Sequence, residues 1–241
     1  MLIIGHRGAS HDAPENTLAA FRLAWEQGAD GIELDVHLTA DGQVVVHHDE
    51  DTSRTGDRRL SLRKSTMSEL RNVDAGAWMG ERWKGERIPT LGDVLGETAR
   101  EKAVFVEIKC GAEILDPLAE VMMSLGAAMP AVKLVGFDAE TMSLAGETLP
   151  DLPVFWNVAS AQVRTGVEPL IEDSVQRGFN GLGLAYCESL TPAAIRHVHD
   201  AGLECFVWCA DDPEVARQLD ACSVAYLATN RPALIRRALS G

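Results

Sequence analysis

Apolar residues in this chain gather into short runs, four or five residues long, separated by longer stretches in which they recur at helical spacing. The runs are Leu2 to Gly5, Gly31 to Leu34, Val104 to Ile108, Lys133 to Phe137, Pro153 to Trp156, Gly181 to Leu184, Glu204 to Trp208 and Val224 to Leu227. Amphipathic stretches such as ENTLAAFRLAWEQG, AEILDPLAEVMMSLG, DAETMSLAGETLP, TPAAIRHVHDAG and DDPEVARQLDA lie between them. Several open on Asp, Thr or Pro and close at Gly, the residues that favour helix ends. Eight β-type runs alternating with helices over 241 residues predict a (β/α)8 TIM barrel, an α/β fold, in one domain spanning residues 1–241.

The alternation breaks once. After the second run the chain reads ELDVHLTADGQVVVHHDE, where Asp41-Gly42 is a two-residue hairpin signal between alternating segments. With that loop Ala40 faces Gln43, and Asp35 is expected opposite His48. A period of two places Glu33, Asp35 and His37 on one strand face. The stretch 50–88 is too long for a barrel loop and rich in Gly, Arg and Trp, so a small cap insertion is expected there.

Composition narrows the partners. The formal net charge is -14, which disfavours nucleic acid and anionic membrane, so an anionic substrate needs local cations. Five scattered cysteines (Cys110, Cys187, Cys205, Cys209 and Cys222) fit reduced thiols better than a disulfide frame or a zinc site. No secretory pattern opens the chain and no apolar run is long enough to cross a bilayer, so a cytoplasmic protein is expected, with a homo-oligomer allowed.

In a parallel barrel the chemistry collects at the C-terminal strand ends. His6 and Arg7 end the first strand, Glu33 and Asp35 the second, Glu107 and Lys109 the third and Trp208 the seventh, while the hairpin returns His48 to the same rim. Three crowded carboxylates call for a cation, and an all-oxygen set favours Mg²⁺ or Ca²⁺ over zinc. Arg7 and Lys109 suit a phosphate, and two histidines can serve as general base and general acid. Together these groups describe metal-assisted phosphodiester cleavage. His37 is a minor ligand candidate only. His197 and His199, two apart on a helix, point to different faces and are read as surface residues. GAWMGERWKGE is read as cap packing rather than a base-stacking surface.

HRGAS followed by PENT, ELDVHLTADGQVVVHHDE, TSRT, SELRNVDAG, ERIPTLGDVL, VEIK, GLECFVWCADDPE and ATNRPAL resembles, in order and over nearly the whole chain, the glycerophosphodiester phosphodiesterase family. The resemblance implies hydrolysis of glycerophosphodiesters to an alcohol and glycerol 3-phosphate with a divalent cation. It matches His6 and His48 to the acid/base pair, with His6 as the base in the usual assignment, and Glu33, Asp35 and Glu107 to the metal ligands. Arg7 and Lys109 match phosphate contacts, Trp208 the aromatic residue beside the glycerol, and Glu15 and Asn16 a second shell near the metal. Two departures stand out. Where the family commonly reads Trp-Thr-Val-Asn this chain has Trp208-Cys209-Ala210-Asp211, and the late TDxP element is Thr229-Asn230-Arg231-Pro232. They leave the alcohol pocket open. A related barrel lyase forming a cyclic phosphate and a barrel that only binds a polar ligand are the competing readings.

Overall fold

The computed structural model describes residues 1–240. Its strands are β1 (Leu2–His6), β2 (Gly31–Leu38), β3 (Val44–Val46), β4 (Ala103–Ile108), β5 (Ala131–Gly136), β6 (Val154–Val158), β7 (Gly181–Ala185), β8 (Glu204–Trp208) and β9 (Tyr226–Thr229). All but β3 are parallel. Neighbours follow chain order from β1 through β2, β4 and onward to β9, which pairs back on β1 and closes the barrel. The helices are α1 (Leu18–Glu26), α2 (Met67–Leu70), α3 (Leu91–Glu97), α4 (Leu115–Leu125), α5 (Ala139–Thr148), α6 (Ser160–Val163), α7 (Glu168–Arg177), α8 (Pro192–Asp200), α9 (Pro213–Ala221) and α10 (Pro232–Leu239). Their starts follow local chemistry: Thr17 caps α1 through the Ala20 amide, Thr90 and Asp93 form a capping box on α3, and α8, α9 and α10 carry proline in the first turn. The TIM barrel expected from the alternation is thus present. Its last strand begins two residues later than the apolar run, and β5 begins two residues earlier.

Strand periodicity stacks the barrel interior in layers. Ile4, Phe105, Phe155 and Phe206 point inward and form one apolar cluster with Val135, Ala228 and Tyr226. Phe105 stacks on Phe206 at 4.5 Å between ring centroids and meets Phe155 and Tyr226 edge-on at 5.7 and 5.0 Å. Two residues further along the same strands, on the same face, stand His6, Glu107, Asn157 and Trp208. An aromatic floor therefore underlies a polar layer at the mouth. Gly183 is required between them, because a Cβ there would lie 2.0 Å from Asn157 Oδ1.

The hairpin departs from the expected register by one residue. Val36, His37 and Leu38 pair with Val46, Val45 and Val44, so the loop has three residues, Ala40, Asp41 and Gly42, and Asp35 lies opposite His47, whose amide donates to the Asp35 carbonyl at 2.9 Å. The reason lies in Asp41. Its Oδ1 accepts from Thr39 Oγ1 at 2.6 Å and from the Met67 amide at 3.0 Å, which commits it to the cap, while Gly42 takes the positive φ of 75° that a three-residue loop needs. His48 consequently falls beyond the ladder, where its ring is free to turn over the barrel mouth.

Segment 50–88 packs on the outside of this hairpin. Leu62, Met67, Leu70, Val73, Ala75 and Ile88 form an apolar cluster with Val45, a residue of β3. Trp78 is half exposed, with Nε1 donating to the Ala75 carbonyl. Two arginines tie the segment to the barrel: Arg54 donates to Glu15 Oε2 and Oε1 at 2.7 and 2.8 Å and to Asp49 Oδ2 at 2.6 Å, and Arg82 donates to the Asp12 carbonyl at 2.6 Å. Burial alone would raise the Glu15 carboxyl, but the hydrogen bonds from Arg54 and the charge of Arg7 override it and hold the group at about 2.

That depressed value makes the clasp acid-sensitive. Its stabilisation is present above the ordinary carboxyl value of 4.5 and is lost as pH falls from there to about 2. With Arg54 partly in solvent, the contribution is about 1–2 kcal/mol. Glu15→Gln is expected to lower unfolding free energy by that amount in urea melts near pH 7, and by much less near pH 2.5. An equal loss at both values would show that the charge on Glu15 is not what stabilises the clasp.

Candidate active site

Adjacent strand ends set the geometry of the mouth. His6 of β1 is register partner to Glu33 of β2, and Asp35 of β2 is register partner to Glu107 of β4. Carboxylate oxygens of Glu33, Asp35 and Glu107 lie within 4.8 Å of one another, and all three residues are buried. Such crowding is unfavourable for three charges. Burial, then the neighbouring carboxylates Asp35 and Glu107, push the Glu33 carboxyl well above the ordinary range. Burial and the charge of Asp35 likewise raise Glu107. Asp35 goes the other way: burial opposes it, but Arg7 and Lys109 keep it ionised.

Each of these groups is held by a neighbour. Arg7 sits at φ 55°, a left-handed conformation that aims its amide at Glu33 Oε2 at 3.0 Å. Gly8 follows at φ 85°, and a Cβ there would meet the Ala20 backbone at 2.6 Å. The Arg7 guanidinium donates to Glu15 Oε1 at 2.9 Å, and its Nε lies 3.2 Å from Asp35 Oδ2 without the alignment of a hydrogen bond. Asn16, at φ 58°, donates to Asp35 Oδ2 at 2.7 Å and so touches the acidic cluster directly, whereas Glu15 stands behind Arg7. Lys109 Nζ donates to Glu107 Oε1 at 2.7 Å and lies 3.3 Å from His48 Nε2. Trp208 packs edge-on against Phe137 at 5.4 Å.

These side chains enclose a cavity of about 130 Å³ lined by His6, Arg7, Glu33, His48, Glu107, Lys109, Phe137, Asn157, Phe206 and Trp208. Among the described residues, four of the buried polar atoms that lack a hydrogen-bond partner belong to this lining: Arg7 Nε, Glu33 Oε1, Asn157 Oδ1 and Trp208 Nε1. Most buried polar atoms in proteins are satisfied, so the clustering of four unpartnered ones in a single cavity marks a place for a polar or ionic ligand. A wider cavity of about 640 Å³ adjoins it across Lys109, walled by Glu50, Arg63 and Lys64 of segment 50–88 and by His37, Cys110 and Glu113.

The structure therefore gathers all eight rim residues named from the sequence. His37 is not part of the acidic cluster; its Nε2 lies 3.0 Å from the His48 carbonyl and braces that residue. His197 is exposed on α8 beside Glu168. Four residues near the chemistry carried no expectation. Asp49 accepts from His48 Nδ1 at 2.6 Å, Arg54 binds Asp49, and Asn157 donates to Glu107 Oε2 at 3.1 Å. The fourth, Ser10, reaches the His6 carbonyl at 2.7 Å. Asp49 directly follows His48 and Arg54 lies in TSRT, so both were in view without a contact to give them meaning.

Known proteins resemble this chain in sequence and fold. The model of the Glycerophosphoryl diester phosphodiesterase family matches residues 6–234. YhdW of Bacillus subtilis is 33% identical over 237 residues, covering 98% of this chain and 96% of that protein. The structure of an Oleispira antarctica phosphodiesterase in complex with the product sn-glycerol-3-phosphate superposes with a TM-score of 0.89 at 26% identity, covering 100% of this chain and 97% of the other. A glycerophosphodiester phosphodiesterase from Agrobacterium tumefaciens gives 0.82 at 29% identity, covering 98% and 99%. A family match over almost the whole chain, on a barrel whose mouth carries the acidic cluster and the two histidines, allows one conclusion: this chain belongs to the glycerophosphoryl diester phosphodiesterase family.

Proposed function

We propose that the enzyme hydrolyses glycerophosphodiesters to an alcohol and sn-glycerol 3-phosphate, with a divalent cation at Glu33, Asp35 and Glu107 and with His6 and His48 as the acid/base pair. The observation that carries this reading is the 130 Å³ cavity, in which a buried carboxylate oxygen without a partner, Glu33 Oε1, faces two histidines and two cations. The donor set fits a hard cation: three oxygen ligands within 4.8 Å, two of them driven toward protonation by burial and then by the neighbouring carboxylates. Such an ion, when bound, neutralises the cluster and withdraws charge from a phosphate oxygen. Nothing in the ligand types separates Mg²⁺ from Ca²⁺, so either satisfies the proposal.

The chain's own groups divide the remaining work. Arg7 and Lys109 supply positive donors to the phosphate. Trp208 and Phe137 form an apolar wall suited to the carbon face of glycerol. His6 Nε2 takes a proton from the attacking water, and His48 Nε2 delivers one to the departing alcohol oxygen. Asp49 orients His48 through Nδ1. A protonated Nε2 cannot face the Lys109 ammonium at 3.3 Å, so Lys109 turns toward the phosphate when substrate binds. The same product complex of the Oleispira antarctica relative supports glycerol 3-phosphate as the half retained in the cavity. Among the described residues no helix is long and apolar enough to cross a membrane.

Incubation with glycerophosphocholine, glycerophosphoethanolamine and glycerophosphoinositol, with and without chelator, is expected to release glycerol 3-phosphate only when divalent cation is present. Failure to release it from any diester would remove the reading. Glu107→Gln is expected to weaken cation binding and activity together without lowering the melting temperature, because Glu107 sits in the polar layer above the aromatic floor. Retained cation affinity in that variant would take Glu107 out of the ligand set. The histidines separate by leaving group. An alkyl alcohol needs a proton to depart and a nitrophenolate does not. His48→Ala should lose roughly 10²-fold or more on glycerophosphodiesters and recover on a nitrophenyl diester, while His6→Ala stays slow on both. The reverse pattern would exchange their roles.

A further inference from the structure

Behind His6 lies a chain of hydrogen bonds whose directions are fixed at its far end. Asp211, in the loop after β8, receives on Oδ1 the Asn230 amide at 2.7 Å and the Thr229 hydroxyl at 2.8 Å. Its Oδ2 lies 2.7 Å from Asn230 Nδ2. Burial disfavours the charge on Asp211, but these hydrogen bonds hold the carboxyl ionised below its ordinary range. A carboxylate only accepts, so the amino end of the Asn230 amide must face it. Cys209 Sγ, 3.3 Å from the same nitrogen, takes the second hydrogen. The amide oxygen is thereby turned toward β1, where it lies 2.8 Å from His6 Nδ1 and 2.8 Å from Ser10 Oγ. An amide oxygen also only accepts, so Nδ1 must carry the hydrogen. In the neutral ring Nε2 then holds the lone pair, on the cavity side, 4.0 Å from Glu33 Oε2.

We propose that Asn230, anchored by Asp211, is a positioning residue that fixes His6 in the Nδ1–H tautomer and so leaves Nε2 unprotonated toward the reacting centre. The inference rests on the reading of His6 as the base only for its effect on rate; the tautomer itself follows from the geometry. It also unites the two departures of the sequence. The Trp-Thr-Val-Asn and TDxP elements common in the family carry Asn and Asp at these two places, and this chain has Asp211 and Asn230 there. The acid and the amide have exchanged places across one contact, and either order presents an acceptor to His6 Nδ1. In one order the carboxylate faces the imidazole directly; here it acts through the amide.

The exchange gives a sharp test. In Asp211→Asn, the donors from Thr229 and the Asn230 backbone still require an oxygen at Oδ1, so the new amide turns its nitrogen toward Asn230. Asn230 must then rotate, present its own nitrogen to His6 and force the proton to Nε2. Long-range ¹H–¹⁵N correlation spectra of the ¹⁵N-histidine-labelled apo protein at one fixed alkaline pH are expected to show His6 as Nδ1–H in the parent and Nε2–H in Asp211→Asn. The kcat of that variant is expected to fall on the order of 10²-fold or more, with KM within about threefold. Adding Asn230→Asp to the same chain is expected to restore the Nδ1–H signature and most of kcat. An unchanged tautomer in folded Asp211→Asn, or a double variant no better than the single, overturns the proposal. A tautomer that switches with kcat unaltered keeps the positioning role and instead removes His6 as the base.

Discussion

Three buried carboxylates within 4.8 Å of one another are the constraint around which the rest of the mouth is arranged. Left alone they would repel, and two of them are indeed pushed toward protonation. The protein surrounds the cluster with cations on either side, Arg7 and Lys109, and with neutral donors, the Arg7 amide, Asn16 and Asn157. Those residues come from different strands and loops, so their convergence depends on closure of the barrel. The left-handed backbone at Arg7 and Asn16 belongs to the same logic, since it points main-chain and side-chain donors at carboxylates that ordinary strand geometry would leave bare.

A second order of organisation lies behind the groups proposed to react. Each histidine has its Nδ1 engaged by a different oxygen, Asp49 for His48 and Asn230 for His6, leaving both Nε2 atoms toward the cavity. Asp49 is in turn bound by Arg54, which also holds Glu15, and Glu15 holds Arg7. Through the Arg54 guanidinium segment 50–88 is therefore joined to both Asp49 and Glu15 at the mouth, although its apolar cluster packs against the hairpin residue Val45.

The barrel was readable from sequence because a period of two and a period near 3.6 alternate cleanly, and because strand ends in such a fold converge whatever the loops do. His6, Glu33, Asp35 and Glu107 lie at those ends and were legible for that reason. The hairpin register was not, because an Asp-Gly pair signals a turn without specifying its length, and here the length is set by Asp41 bonding to Met67, twenty-six residues away. Asp49 and Arg54 lie outside any periodic element, so nothing in the pattern placed them. Asp211 and Asn230 were visible as departures, but their meaning required the contact between the β8 and β9 loops, nineteen residues apart in sequence.

The aromatic floor has a consequence for traffic through the enzyme. Phe105, Phe155, Phe206 and Tyr226 fill the barrel below the polar layer, and Lys133 lies over the Phe155 and Tyr226 rings at 5.5 and 5.2 Å from their centroids. Below the polar layer the barrel is closed by packed side chains, so a ligand reaches the acidic cluster from the C-terminal ends of the strands.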